Sequence, residues 1–132
     1  MEALLIAQYD PSAERLRDTV RRALDKAGVK LFTPDLEPGA VWAEATTDAI
    51  ASADFVIADV SRGNPNVFYE IGFAHAMRKN TILLVDKDAN PKLPTDLAGT
   101  FVLTYDPQNL RDVGEYITRA ANQLKSRREA IV

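Results

Sequence analysis

The chain predicts an α/β protein built on one doubly wound parallel sheet, and three observations carry that reading. Apolar runs of strand length alternate with stretches of helical periodicity along all 132 residues. The runs are continuous instead of alternating apolar with polar, as strands are when helices cover both faces of a sheet. Five such runs in a chain of this size favour the flavodoxin-like (Rossmann-like) strand order 2-1-3-4-5, built from right-handed crossovers. No repeat, low-complexity tract or linker breaks the pattern, so residues 1–132 are read as a single domain with its own core.

Each element has its own signal. "ALLIAQY" (3–9) is an apolar run closed by Asp10-Pro11-Ser12, a strand followed by a helix start. "SAERLRDTVRRALDKAG" (12–28) places Leu16, Val20, Ala23, Leu24 and Ala27 at helical spacing. Ser12 or Asp10 is the expected cap and Gly28 the expected stop. "VKLFT" (29–33) is a second strand, and "PDLEPGA" (34–40) a polar loop. "VWAEATTDAIASA" (41–53) reads as a short helix whose apolar side is Val41, Trp42, Ala45, Ala49 and Ile50. "DFVIADV" (54–60) is a third strand, and a helix is expected from about Asn66 to Lys79. "TILLVD" (81–86) and "TFVLTYD" (100–106) are strands four and five, with a loop between them. A last helix, from 109 to 129, has Leu110, Val113, Ile117, Ala120, Ala121 and Leu124 on one side. The tail "KSRREAIV" is expected to be a disordered terminus, with a subunit contact as the other reading.

Composition removes several classes of function. The net charge of −3 argues against a nucleic-acid binder, which needs a basic footprint. The basic groups at helix ends (Arg15, Arg17, Arg21, Arg22; Lys125, Arg127, Arg128) are interleaved or flanked by acids and read as solvated faces. With no cysteine and one histidine, His75, neither a disulfide framework nor a zinc site is expected. No apolar run approaches the ~20 residues that span a bilayer, and no signal-peptide layout opens the chain. A cytoplasmic protein with no membrane partner, metal or cofactor is expected.

A site in this fold belongs beyond the carboxyl ends of the strands, at the switch point between strands 1 and 3. Gln8, Tyr9 and Asp10 follow strand 1 there, and Asp59, Ser61 and Arg62 follow strand 3. The helix that carries Glu70 starts just beyond. Asp10, Asp59 and Glu70 are therefore expected to meet at one crevice, although strand-end aspartates also serve simply to cap loops. Familiar phosphate sites are absent: no GxGxxG follows strand 1, and there is no GxxxxGK[ST]. A phosphoacceptor receiver is a poor fit, since "LTYDPQN" supplies no lysine after strand 5.

Glu70 is the unusual residue. "RGNPNVFYEIGFAHAMRKN" (62–80) opens with turn chemistry, and Asn64-Pro65 is a natural helix cap and first position. Beyond it the helix is apolar nearly all round, which predicts burial on most sides. A carboxylate in it is costly without partners or a wet cleft. A place in the first turn or two would favour the anion and keep it ionised near neutral pH, which suits a nucleophile. A glutamate there also serves simply to complement the helix dipole. Asn66 reads equally as a cap or a ligand to a sugar hydroxyl. Tyr69 reads as packing before catalysis, Gly72 as a close helix–sheet approach, and His75 as a packed or capping residue.

The stretch "ADFVIADVSRGNPNVFYEIGFAHAMRKNTILLVD" resembles the signature of the nucleoside 2-deoxyribosyltransferase-like superfamily, most closely its TIR-like predicted nucleotide-binding branch. The likeness extends over roughly residues 3 to 124, including "LPTDLAGTFVLTYD" before the last helix. It implies cleavage or exchange of the N-glycosidic bond of a nucleoside, nucleotide or NAD-like substrate. Glu70 matches the glutamate that attacks C1′ in the transferases, and Asp59 an acid that handles the departing base or the sugar. On that reading Gln8, Tyr9, Asp10, Asn66 and Tyr69 bind the substrate. The strand-2 loop departs from the transferases, offering Asp35, Trp42 and Glu44 without clear equivalence. The resemblance also implies a homodimer or larger assembly, because relatives often complete their sites from a neighbouring subunit. A non-catalytic nucleotide sensor or a TIR-like protein-interaction module is the alternative.

Overall fold

Five parallel strands form one sheet in the order β2-β1-β3-β4-β5. The computed structural model describes residues 1–7, 11–32, 42–97 and 99–131. In chain order the elements are β1 (Glu2–Ile6), a 3-10 turn (Pro11–Ala13), α1 (Glu14–Lys26), β2 (Lys30–Phe32), α2 (Trp42–Ser52), β3 (Phe55–Asp59), α3 (Pro65–Ala76), β4 (Asn80–Asp86), β5 (Val102–Tyr105) and α4 (Arg111–Ile131). The expected class and strand order are those observed.

Successive strand side chains point to opposite faces, so each central strand feeds two cores. Ala3, Leu5, Phe55, Ile57 and Leu84 pack beneath α1 and α4, with Leu16, Val20, Leu24, Val113 and Ile117. Leu4, Ile6, Val56, Ala58 and Leu83 face the other way, against Ile50 of α2 and Val67, Ile71 and Ala74 of α3. Burial on both faces is the physical reason the strands read as unbroken apolar runs.

The amino edge of the sheet is tied by polar side chains to backbone. Asp54 accepts from the Glu2 amide at 2.6 Å and from Arg128 Nη1 at 2.7 Å. Lys79 Nζ donates to the carbonyls of Ala51 and Ala53 at 2.9 and 2.8 Å, closing the end of α2. Lys125 Nζ reaches the Ala27 carbonyl at 3.0 Å, just past α1. Lys125 and Arg128 are thus structural ties, not merely members of a solvated face. The tail expected to be disordered is helical through Ile131 and held at Arg128.

Other local expectations need correction. The residue before α1 is Ala13, so Ser12 does not occupy the cap position, and a 3-10 turn starts the segment instead; Asp10 lies outside the described residues. Gly28 does end α1: at φ +70 it lets its own amide bond Asp25 O while Val29 N bonds Leu24 O, a Schellman closure. α3 ends at Ala76, three residues earlier than expected, in the same closure around Arg78.

Candidate functional site

The polar cluster at the carboxyl edge is built from the ends of three adjacent strands. β3 ends in Asp59, which is half-buried. Gly63, at φ +60, then turns the chain into α3, where Asn64 caps the helix by accepting from the Asn66 amide at 2.9 Å. Pro65 takes the first helical position, so the predicted Asn64-Pro65 start is present.

Both oxygens of Asp59 are engaged. Oδ1 accepts from the Ser61 amide at 3.0 Å and from the Ser61 hydroxyl, and Oδ2 accepts from the Tyr105 hydroxyl at 2.8 Å. Ser61 Oγ in turn accepts from the Asp86 amide at 2.7 Å, which locks the end of β4 to the loop after β3. Burial, helped by the charges of Asp59 and Asp86, pushes the Tyr105 hydroxyl far above the usual phenol range, against the opposing pull of the Ser61 hydrogen bond. Tyr105 therefore serves as a neutral donor at any ordinary pH. The cluster opens on a crevice of ≈ 140 Å³, whose lining includes Asp59, Ser61, Arg62, Asn64, Asp86 and Tyr105.

Ser61 and Arg62 were anticipated at this edge; Tyr105 and Asp86 were not. Their signal was available, since each closes an apolar strand with a polar side chain.

Glu70 is on the second turn of α3, one turn past Val67 of the crevice lining, and is not itself among the described residues that line it. It has no hydrogen-bond or ion-pair partner among the described residues. It is half-buried, and desolvation raises its pKa above the ordinary 4.5. The direction of the shift is that of burial and not that of the helix N-terminus. Glu70 is the sixth residue of α3, beyond the first turn where the dipole acts, so burial wins.

The rest of α3 is less buried than its composition implied. Only Val67, Ile71 and Ala74 are buried, one stripe at helical spacing. Tyr69 is 68% exposed, so it is not a packing residue. Gly72 is exposed and a Cβ there would meet nothing within 4 Å, so no close helix–sheet approach requires it. His75 is exposed and its Nε2 lies 2.9 Å from Thr81 Oγ1, which makes it a surface link to β4 and neither packed nor a cap. Asn66 is exposed at the second position of the helix, where its amide, not its side chain, takes part in the cap.

Gln8, Tyr9 and Asp10 lie outside the described residues, as does Asp35. Glu44 is exposed in the first turn of α2. Among the described residues no group of three or more acidic or histidine side chains is arranged to hold a metal ion. No described helix is long and apolar enough to cross a membrane.

Solved structures share this fold. The CMP N-glycosidase of Clostridium botulinum superposes with a TM-score of 0.65 at 23% identity, over 91% of this chain and 97% of that one. The TIR domain of the Toll-related receptor TRR-2 from Hydra magnipapillata gives 0.67 at 20%, over 90% and 96%. A 2-deoxyribosyltransferase from Bacillus psychrosaccharolyticus gives 0.62 at 14%, over 92% and 96%. No curated protein matches in sequence. Residues 4–107 match the family model of the CAP12/Pycsar effector protein TIR domain, and the chain belongs to that family.

Proposed function

We propose that this domain cleaves or exchanges the N-glycosidic bond of a nucleoside, nucleotide or NAD-like substrate, with Glu70 as nucleophile. The observation that carries the reading is the isolation of Glu70: a half-buried carboxylate, its pKa raised by burial, with no partner among the described residues. Scaffold carboxylates in this molecule bond backbone or cations, as Asp54 does. One left unpaired at the cost of desolvation is a candidate reagent.

In the reaction, a Glu70 oxygen bonds C1′ as the C1′–N bond breaks, and the electron pair leaves with the base. Water, or a second base, then attacks C1′ and frees the carboxylate, water leaving one proton behind. Desolvation makes the carboxylate more basic and so a better partner for an oxocarbenium-like carbon. Asp59, held by Ser61 and Tyr105, would orient the base or handle its proton, and Asn66 and Tyr69, exposed on the same helix, would contact the sugar. Gln8, Tyr9 and Asp10 would complete the substrate contacts after β1. The fold shared with an enzyme named a CMP N-glycosidase and with a deoxyribosyltransferase supports this class of substrate.

The test is release of free base from deoxynucleosides, nucleoside monophosphates and NAD. Glu70→Gln is expected to lower turnover on the order of 10³-fold or more while the fold is kept. Release that survives Glu70→Gln sinks the nucleophile assignment. A nucleotide-sensing or interaction module is the second reading, favoured by the absence of Glu70 from the described lining of the crevice at Asp59. It predicts nucleotide binding with no base released from any substrate.

A further inference from the structure

The face formed by α1 and α4 carries a feature that glycosidic chemistry does not use. Between the two helices runs an open groove of ≈ 820 Å³, floored by Ala23, Leu110 and Gly114. At Gly114 an added Cβ would stand 3.3 Å from Thr19 Cγ2, so the glycine allows α1 and α4 to approach closely along this line. Arg22, Lys26, Arg111 and Arg119 line the groove against a single carboxylate, Glu115. The chain as a whole carries −3, so this is a local reversal of charge.

Two of the four cations are already weakly paired. Arg22 meets Asp18 at 2.8 Å and Arg111 meets Glu115 at 3.2 Å, both exposed helix pairs of the kind that contribute little and exchange readily. Lys26 and Arg119 have no partner among the described residues. Arg119 also borders a second, smaller cleft of ≈ 180 Å³ on the other flank of α4, beside Tyr116. The ring of Tyr116 has that of Phe101 6.4 Å away, and Phe101 is 69% exposed, an aromatic side chain left in water.

The geometry points to the α1–α4 face as a docking surface for an acidic, amphipathic segment of a partner protein. Its carboxylates lie over Lys26 and Arg119, and one apolar side chain seats against Phe101 and Tyr116. Charge complementarity selects an acidic occupant, and Tyr116 sharing a cleft with Arg119, with exposed Phe101 next to it, is the composition of an interface anchor. The spacing selects an extended one. Arg111 and Arg119 are eight residues apart, about 12 Å along the helix axis, too far to converge on one phosphate. Their charges match carboxylates repeated along a segment of two or three helical turns. The groove is too short, and the rest of the chain too acidic, for a nucleic-acid track.

The experiment selects displayed helical peptides of varied charge on the whole chain, then measures one enriched acidic peptide by fluorescence anisotropy. Acidic peptides with an aromatic or aliphatic edge are expected to be enriched. Lys26→Glu/Arg119→Glu should weaken binding about tenfold or more, and Phe101→Ala several-fold, with roughly the same ranking for Lys26→Gln/Arg119→Gln. Lys26 and Arg119 hold nothing in the scaffold, so an unchanged melting temperature accompanies the loss. Raising the salt from low to physiological should weaken binding further. Absence of acidic enrichment, or binding indifferent to charge reversal, overturns the proposal. So does equal competition by inorganic triphosphate or a DNA oligonucleotide, which would make the groove a general polyanion site. A dimer that Lys26→Glu/Arg119→Glu dissolves would place a second copy of this chain there instead, and also overturns it.

Discussion

The two edges of the sheet use the same kinds of residue for opposite ends. At the amino edge Asp54, Lys79, Lys125 and Arg128 are all spent on the scaffold, each bonded to a backbone group or to one another. At the carboxyl edge Asp59, Ser61 and Tyr105 also bond among themselves, but around a crevice, and Glu70 on the following helix bonds nothing described. A charged residue by itself therefore says little about function in this molecule. What sets Glu70 apart is a half-buried carboxylate with no partner among the described residues. If the contrast is real, substitutions at the first edge should cost stability, and substitution of Glu70 should not.

Lys79 offers the largest effect. Its ammonium satisfies two carbonyls at the end of α2, one of them on buried Ala53. Lys79→Met keeps the stem and removes the charge, and should destabilise by about 2 kcal/mol, the scale of hydrogen bonds to a charged donor. Urea denaturation measures it; a change within error would mean that water caps α2 equally well.

Glu70→Gln should act in the other direction, with a pH dependence whose sign is fixed. The folded-state pKa lies above the ordinary 4.5, so the folded state binds the proton more tightly than the unfolded chain does. At pH below the unfolded value both states are protonated and nothing is lost. As pH rises through 4.5 and on through the raised value, the unfolded chain ionises first and stability falls. Above that window the cost stays. Glu70→Gln should thus be more stable than the parent at neutral pH, with the advantage vanishing in acid. The gain is smaller than the Lys79 loss, because the carboxyl is only half-buried and water screens it. Thermal melts across pH 3–8 read it directly, and a variant less stable at neutral pH would give Glu70 a scaffold role.

The same distinction sets how much was legible in the sequence. Strand order and both cores were, because unbroken apolar runs such as "FVIAD" and helical stripes such as Leu16, Val20 and Leu24 report burial directly. Asp59 was legible as a polar residue closing an apolar strand. Whether a carboxylate has a partner depends on residues far along the chain, and periodicity is blind to that. Tyr105 lies 46 positions from the Asp59 it bonds, and Arg128 lies 74 from Asp54. The direction of the Glu70 shift was hidden for a related reason: the dipole weakens beyond the first turn, and only the tertiary packing tells how much water is left.

The smallest expected effect falls at the amino edge and shows that it is not fully optimised. Two helices end there in the same Schellman closure, yet α1 uses Gly28 at φ +70 and α3 uses Arg78 at φ 56. A side chain in the left-handed region crowds its own carbonyl by roughly 1–2 kcal/mol, and glycine escapes that crowding. Glycine also loses more freedom on folding, by roughly 0.5–1 kcal/mol. The difference leaves Arg78→Gly a net stabilisation of a few tenths to about 1 kcal/mol. Arg78 is exposed and lies at the far end of α3 from its cap, so base release, where present, should not change. A loss of stability on Arg78→Gly would mean that the arginine side chain holds the end of α3 by a contact worth more than the strain it carries.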